Sequence, residues 1–493
     1  MGTGWELWVL LTASVAASVA SLLLRTPRQI LRLVSVGGAA WSLLAILISL
    51  QVFICGPVST AFSWLRVDSL SAYQLVVLAL VYGASSIFAN GYFLHEESHG
   101  KFGLHAARRF AALWFGSAAA MSLVLLSNNL GLMWVGIEAT TLLTGFLITI
   151  HSTPLSLEAM WKYLLVCSVG VAFAFVGTLL VGASAQKIGL ESNEMLMWTS
   201  LSTAAPLLNP GLMKLAFIFL IVGYGTKAGL APMHSWLPDA HSQAPAPVSA
   251  LFSGAMLNTA LYCIMRYLPL VEGATGYQGW GMQLLLIFGL ISIMVAAGFI
   301  IFQHDGKRLL AYHSVEHMGI IALGLGLGPI GAFAALWHTL NHALCKSLSF
   351  FAIGRLGQAY GSHSLDRIAG AARRVPLWGM AFLFSIIILI GVAPFAIFMS
   401  EFAILRAAIS QASYVALGIF LLGTGVVFIS ALKHALDSGY GKEVAEPSPV
   451  RTSGLDYAVV GVGLAMLLAL GVWMPGPMRD ILEGAARIIG GAR

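Results

Sequence analysis

Runs of about 20 apolar residues recur along the whole chain, and this recurrence narrows the fold more than any other feature. A helix of that length crosses a hydrocarbon layer about 30 Å thick at about 1.5 Å per residue. Inside that layer every backbone amide and carbonyl needs a partner within the protein, which leaves only helices and closed barrels. A barrel would read as alternating segments of about 10 residues, and the sequence has none. The chain is therefore expected to be an all-α polytopic membrane protein. Only 9% of its 493 residues are charged, against about 25% in soluble domains. Its formal charge of +6 is accounted for by basic loops on one side of a bilayer. The lipid bilayer is the expected surrounding, and no nucleic-acid partner is expected.

About fourteen spans are expected. The first six lie near 5–24, 30–54, 69–93, 109–127, 130–150 and 158–183. The seventh is broken, 212–230 and then 232–240, and spans eight to eleven lie near 246–268, 280–302, 308–327 and 330–353. The twelfth is broken near Gly391 and Pro394, and the last two lie near 414–436 and 455–474, before a short amphipathic tail. The N-terminus lacks a basic stretch before its apolar run and reads as a first span, not as a cleaved signal. The longest loops are Gly182–Gly211 and Gly354–Pro376.

Basic residues alternate by side. One side receives Arg25, Arg28 and Arg32, then Lys101, Arg108 and Arg109, then Lys307 and Arg308. It also receives Arg355, Arg367, Arg373, Arg374, Lys433, Lys442 and Arg451. The other receives Arg66, Lys187, Lys214 and Arg266, with Arg479, Arg487 and Arg493 in the tail. The first side is then cytoplasmic and both termini lie outside.

The stretch GYGTKAGLAPMHSWLPDAHSQAPAPVSALFSG, Gly223 to Gly254, joins an intramembrane lysine, Lys227, to a helix break at Pro232. Charge at bilayer depth is costly and tends to line ion pathways. Freed backbone at that depth survives only inside protein or beside water. A second central break, Pro394, follows about 160 residues later, and a glutamate precedes each break, Glu138 and Glu316. Such pairs point to inverted repeats with sites near the midplane. The offset of five spans between the copies requires the second to be inverted.

Further ionisable residues fall within the spans. Glu138 is expected to be a protonatable carboxylate, or else a packing partner of Lys162. Lys162 either holds Glu138 or snorkels to the interface. Lys227, beside a movable carboxylate, could alternately hold and release a proton; otherwise it is a permanent ion pair. His338, His342 and Lys346 form one helical stripe at i, i+4 and i+8, suited to a proton relay. A zinc reading of the two histidines lacks the glutamate that the metalloprotease pattern puts after the first, and no metal is expected. Glu401 reads as the terminal exchange group, with an ion pair to Arg406 as the alternative. Glu316, His317, Asp239, His241 and Asn258 are candidates for gating.

Other signals carry less. The glycines of GLGLGPIG end a span and form a packing turn. The four cysteines have no metal or redox spacing. No Ser-His-Asp set, haem pair or iron–sulfur set is credible, so no catalytic residue and no bound cofactor are expected.

The phrases WVGIEATTL, EAMWKYLLVCSVG, GYGTKAGLAPMHSWLPDAH, RLLAYHSVEHMG and HTLNHALCKSLSFF together resemble the antiporter-like membrane subunits. That family is shared by respiratory complex I, Mrp cation/proton antiporters and energy-converting membrane hydrogenases. The resemblance covers roughly residues 65–435. EHMGIIALGLGLG looks most like the hydrogenase-4 component F type. The resemblance implies fourteen helices, with spans 4–8 and 9–13 as inverted five-helix repeats and spans 7 and 12 discontinuous. It divides the chain into 1–107, 108–268, 279–436 and 437–493. It also implies a relay of Glu138, Lys162, Lys227, His338, His342, Lys346 and Glu401. Many members carry a lysine or histidine in the eighth span where this chain has Asn258, and an amide holds no extra proton at neutral pH. Residues 476–493 are too few for the long lateral helix of the largest complex I member.

The expected function is thus a non-redox, proton-translocating subunit of an oxidoreductase complex, such as a membrane-bound hydrogenase or complex I-like assembly. Its partners would be other membrane subunits, soluble redox subunits and protons, and its place the bacterial cytoplasmic (inner) membrane. The alternatives are a subunit of a cation/proton antiporter, or a membrane scaffold docking a soluble enzyme, as in inorganic-carbon uptake.

Overall fold

The computed structural model describes residues 4–450 and 452–491, so Arg451 and Arg493 lie outside the described residues. The first helices are α1 (Trp5–Leu23), α2 (Pro27–Cys55), α3 (Ser69–Ser98), α4 (Leu104–Leu126), α5 (Leu130–Ile148) and α6 (Pro154–Lys187). Next come α7 (Trp198–Ala204), α8 (Pro210–Ala228), α9 (Trp236–Gln243), α10 (Ala246–Leu251) and α11 (Leu257–Ala274). The second half holds α12 (Trp280–Ile300), α13 (Gly306–Gly326), α14 (Gly328–Tyr360), α15 (Ala371–Arg374), α16 (Pro376–Leu389), α17 (Ala396–Ser410) and α18 (Tyr414–Tyr440). The chain closes with α19 (Gly454–Val472) and α20 (Gly476–Ile489). A two-residue hairpin, β1 (Val58–Ser59) against β2 (Arg66–Val67), closes the loop after α2, with Val58 opposite Val67.

Helix starts follow local chemistry. Thr26, Asp68, Asn129, Thr153, Asn209, Asp305 and Ser453 each accept a bond from a first-turn amide that has no partner inside its helix. Proline follows the cap at Pro27, Pro154 and Pro210, where its missing N–H costs nothing.

Eleven stretches, α10 through α11 counting as one, are long and apolar enough to cross a membrane. The helices α13 and α14 are also long enough, but they carry buried ionisable side chains. With α16 and α17 read as one broken crossing, the expected fourteen are present. The loop after α6 is shorter than expected and contains α7, tied down by bonds from Trp198 N and Thr199 N to Asn128.

Both breaks fall where the prolines predict. α8 stops at Ala228 with left-handed Gly229 as its cap, and α9 starts at Trp236. α16 stops at Leu389, Gly391 is left-handed, and α17 starts at Ala396. The freed backbone is satisfied: Ala231 N donates to Ser292 Oγ at 2.9 Å, and Asn341 Nδ2 donates to Ala396 O at 2.8 Å. Neighbour relations also recur. α4 packs on α5, α5 on α6, α6 on α8 and α9, and α8 on α11; α12 packs on α13, α13 on α14, α14 on α16 and α17, and α16 on α18.

The crossing Ala246–Ala274 is enclosed on all sides. Large apolar side chains face outward from α1, α2, α6, α12, α18 and α19, as a lipid-facing perimeter requires. Arg266 is a buried member of α11, paired with Asp68 through two bonds of 2.6 Å. An unpaired guanidinium could not sit in that apolar setting.

Candidate functional site

Two polar clusters run through the interior. The first lies among α5, α6 and α8. Lys227, fully buried, donates to Thr141 Oγ1 at 3.0 Å and to Tyr163 OH. Tyr163 OH in turn shares a 2.6 Å bond with Thr144 Oγ1. Glu138 stands one turn before Thr141 and is only partly buried; one of its oxygens accepts from Ser168 Oγ at 2.9 Å. Spacings of three residues place Glu138, Thr141 and Thr144 on one face of α5.

Two pairings differ from the sequence expectation. Lys162 does not hold Glu138; it bonds Asp239, with Glu158 at 4.0 Å. Lys227 has no carboxylate partner among the described residues and is held by neutral hydroxyls instead. Which face of α6 meets α5 and which meets α9 is set by helix rotation, and sequence spacing does not give it. Asp239 also receives Arg308 at 2.6 Å, so it ties α6, α9 and α13 together at the end where the basic loops lie. His241 is fully buried and stacks on Phe350 at 4.9 Å, with neither ring nitrogen bonded among the described residues.

The second cluster lies among α13, α14 and α17. His313 Nδ1 and Glu316 Oε2 are 3.0 Å apart on α13. His317 Nδ1 stands 2.9 Å from His338 Nε2, and His338 Nδ1 stands 2.9 Å from Ser400 Oγ. The His317 and His342 rings are 5.1 Å apart by centroid. Lys346 is fully buried and donates to the carbonyl of Leu310. Glu401 lies over Gly391 at the second break and borders a groove of about 280 Å³ lined by Phe398, Phe402, Phe420 and Phe428. Arg406 is not among its partners in the described residues.

The expected stripe of His338, His342 and Lys346 is thus one side of a two-helix cluster. His313, Tyr163, Thr141, Ser168 and Ser400 were not singled out from the sequence. His313 could have been, since it stands at i−4 from His317. The hydroxyl partners carry no sequence signal. The ligand-type atoms of His313, Glu316 and His317, and those of His317, His338 and Glu401, lie within 4.8 Å of one another. By distance either group could hold a cation, and the same closeness allows proton exchange.

Asn258 is buried, and its amide turns back on its own helix, donating to Gly254 O at 2.7 Å. A cavity of about 910 Å³ opens on the face bearing Lys101 and Arg308 and is lined by His95, His99, His151 and His363 among others. His363 lies in the loop after α14; burial, then the nearby Lys307 charge, pushes its imidazole down to about 3. It is neutral there at pH 7.

A profile described as "NADH:quinone oxidoreductase/Mrp antiporter, TM" matches residues 127–427. The hydrogenase-4 component F homolog of Methylacidiphilum infernorum (isolate V4) is 35% identical over 414 residues, covering 84% of this chain and 86% of that one. A chain in the membrane-bound sulfane sulfur reductase, an archaeal respiratory membrane complex, superposes with a TM-score of 0.86 at 22% identity, over 98% of this chain and 97% of that one. A chain in the Mrp complex of Dietzia sp. DQ12-45-1b gives 0.84 at 20% identity, over 99% and 97%. At such identities the two structures speak for the fold alone.

Proposed function

The chain belongs to the NADH:quinone oxidoreductase/Mrp antiporter family of membrane subunits, and on that premise we propose that it moves protons as the antiporter-like subunit of a redox-driven complex. The observation that carries this reading is the company kept by its two central lysines. Lys227 and Lys346 are fully buried, yet among the described residues each is bonded only to neutral oxygens. A structural lysine at that depth would be locked to a carboxylate. One held by hydroxyls and a carbonyl can give up its proton and stay satisfied. Glu138, Lys162, Lys227, His338, His342, Lys346 and Glu401 form the relay in this proposal, with His313, Glu316 and His317 beside it.

In the same proposal residues 108–268 and 279–436 are the two inverted repeats, 1–107 a three-helix flank, and 437–493 the last crossing and tail. The basic side faces the cytoplasm, both termini lie outside, and the membrane is the bacterial inner membrane. Neighbouring membrane subunits cover part of the perimeter, and soluble redox subunits supply the drive. A second reading, cation/proton exchange without a redox partner, draws on the cation-ligand distances of His317, His338 and Glu401.

The test is Lys227→Ala in the complex purified with its native partners and placed in vesicles. Proton translocation is expected to stop while electron transfer by the partners partly persists. Wild-type translocation would remove Lys227 from the path.

A further inference from the structure

The two clusters need a junction, and Asn258, at the family's usual place, spends its amide on Gly254 O at 2.7 Å. Between α10 and α11 the enclosed crossing winds for one turn as a π-helix, Phe252–Met256. Such turns are rare and gather at functional sites. This one touches both clusters. On one side the Met256 thioether lies 3.6 Å from Tyr163 OH and 3.5 Å from Thr144 Oγ1, the groups that extend from Lys227. On the other, Ser253 Oγ lies 2.8 Å from Ser314 Oγ on α13. Ser314 Oγ donates to Leu310 O at 3.2 Å, the same carbonyl that holds Lys346.

We propose that the proton step between the two halves runs through this π-turn, with the Ser253–Ser314 hydroxyl pair as the receiving link and Met256 as the closed point before it. This rests on the relay reading above. A hydroxyl passes a proton by taking one on its oxygen and releasing its own on the far side. The pair therefore ends chemically unchanged: one proton leaves the Lys227 ammonium, and the Ser314 hydroxyl, turning from the Leu310 carbonyl it shares with Lys346, delivers one to the Lys346 amine. A thioether accepts only weakly and carries no proton, so Met256 interrupts the line as it stands. Its unbranched chain has three rotatable bonds and can swing aside without backbone movement. An interruption of this kind is what a coupled path needs, since an uninterrupted one would leak.

The experiment uses the intact complex in vesicles, with proton uptake and electron transfer measured together. Ser253→Ala and Ser314→Ala each remove one buried atom and are expected to slow translocation at least tenfold. Electron transfer with an uncoupler present should stay within about twofold of wild type. Ser314→Thr, which keeps a hydroxyl, should restore translocation, an outcome that a merely packing role would not give. If an alanine variant fails to assemble, Ser253→Cys takes its place, since it keeps the volume but donates weakly. Wild-type translocation in both serine variants overturns the junction. If Lys227→Ala is inactive while both serine variants translocate normally, only this inference fails; if Lys227→Ala translocates normally, the relay reading fails first.

Discussion

Removing Asp68 should strongly destabilise the protein. Arg266 gives both carboxylate oxygens of Asp68 a bond of 2.6 Å, and it also donates to Ser71 Oγ at 2.5 Å and Tyr262 OH at 2.8 Å. Its guanidinium lies 4.7 Å from the Trp198 ring centroid. Both partners are almost wholly buried. Asp68→Ala leaves that guanidinium stranded, which typically costs about 3–5 kcal/mol. The lost cap on α3, where Asp68 accepts from Leu70 N and Ser71 N, adds about 1 kcal/mol. At about 1.4 kcal/mol per decade, the first term alone shifts the unfolding equilibrium by roughly two to three and a half decades. SDS titration in mild detergent, followed by tryptophan fluorescence, reads this directly because Trp198 is part of the site.

The double variant Asp68→Ala with Arg266→Leu should recover much of the loss, since an apolar replacement of a buried pair is often neutral. A single variant within about 1 kcal/mol of wild type, or a double variant no better than the single, would refute the account. The pH dependence has a fixed sign. Burial alone would raise the Asp68 carboxyl, but the Arg266 charge and its bonds outweigh burial and hold it below its usual value. The pair's contribution is then complete above the ordinary carboxylate range of about 4 and fades as pH falls below it.

Gly391→Ala should abolish translocation without preventing assembly: Gly391 has φ +72°, and an added Cβ would overlap Glu401 Oε2. Proton uptake measured beside native electrophoresis checks both halves of that statement. Gly289→Ala should destabilise by about 1–3 kcal/mol, because its Cβ would come within 2.6 Å of Gly319 O and Leu323 N, backbone atoms that cannot step aside; the same SDS titration measures it. Asp239→Asn should cost little stability, at most about 1 kcal/mol, since Lys162 and Arg308 are both partly open to solvent. Proton uptake should nonetheless slow, and unchanged uptake would take Asp239 out of the gate.

The crossings and both breaks were legible because each has a local cause: apolar length, a capping side chain before several starts, a proline at Pro232 and at Pro394. The ionisable residues were legible for the same reason, as exceptions in apolar runs. Their partners were not. Lys162 and Asp239 are 77 residues apart, Arg308 and Asp239 are 69 apart, and only the docking of α6, α9 and α13 brings them together. Glu138 lies mid-span in the sequence yet is partly open, because its helix α5 is only half enclosed by the rest of the protein. The π-turn has no sequence mark, since Phe252, Ser253, Gly254, Ala255 and Met256 would suit an α-helix equally well.

The enclosed crossing Ala246–Ala274 also constrains how the protein is made. When Ala274 leaves the ribosome, α13 and α14, which wall one side of that crossing, have not yet been synthesised. A helix carrying Arg266, Glu272 and Asn258 must then wait in the lipid or the translocon with one flank bare. Asp68, made 198 residues earlier, is already in place to take Arg266. The Asp68–Arg266 pair would therefore act first as a mooring for the nascent chain, holding the eighth crossing until the second half arrives to close over it.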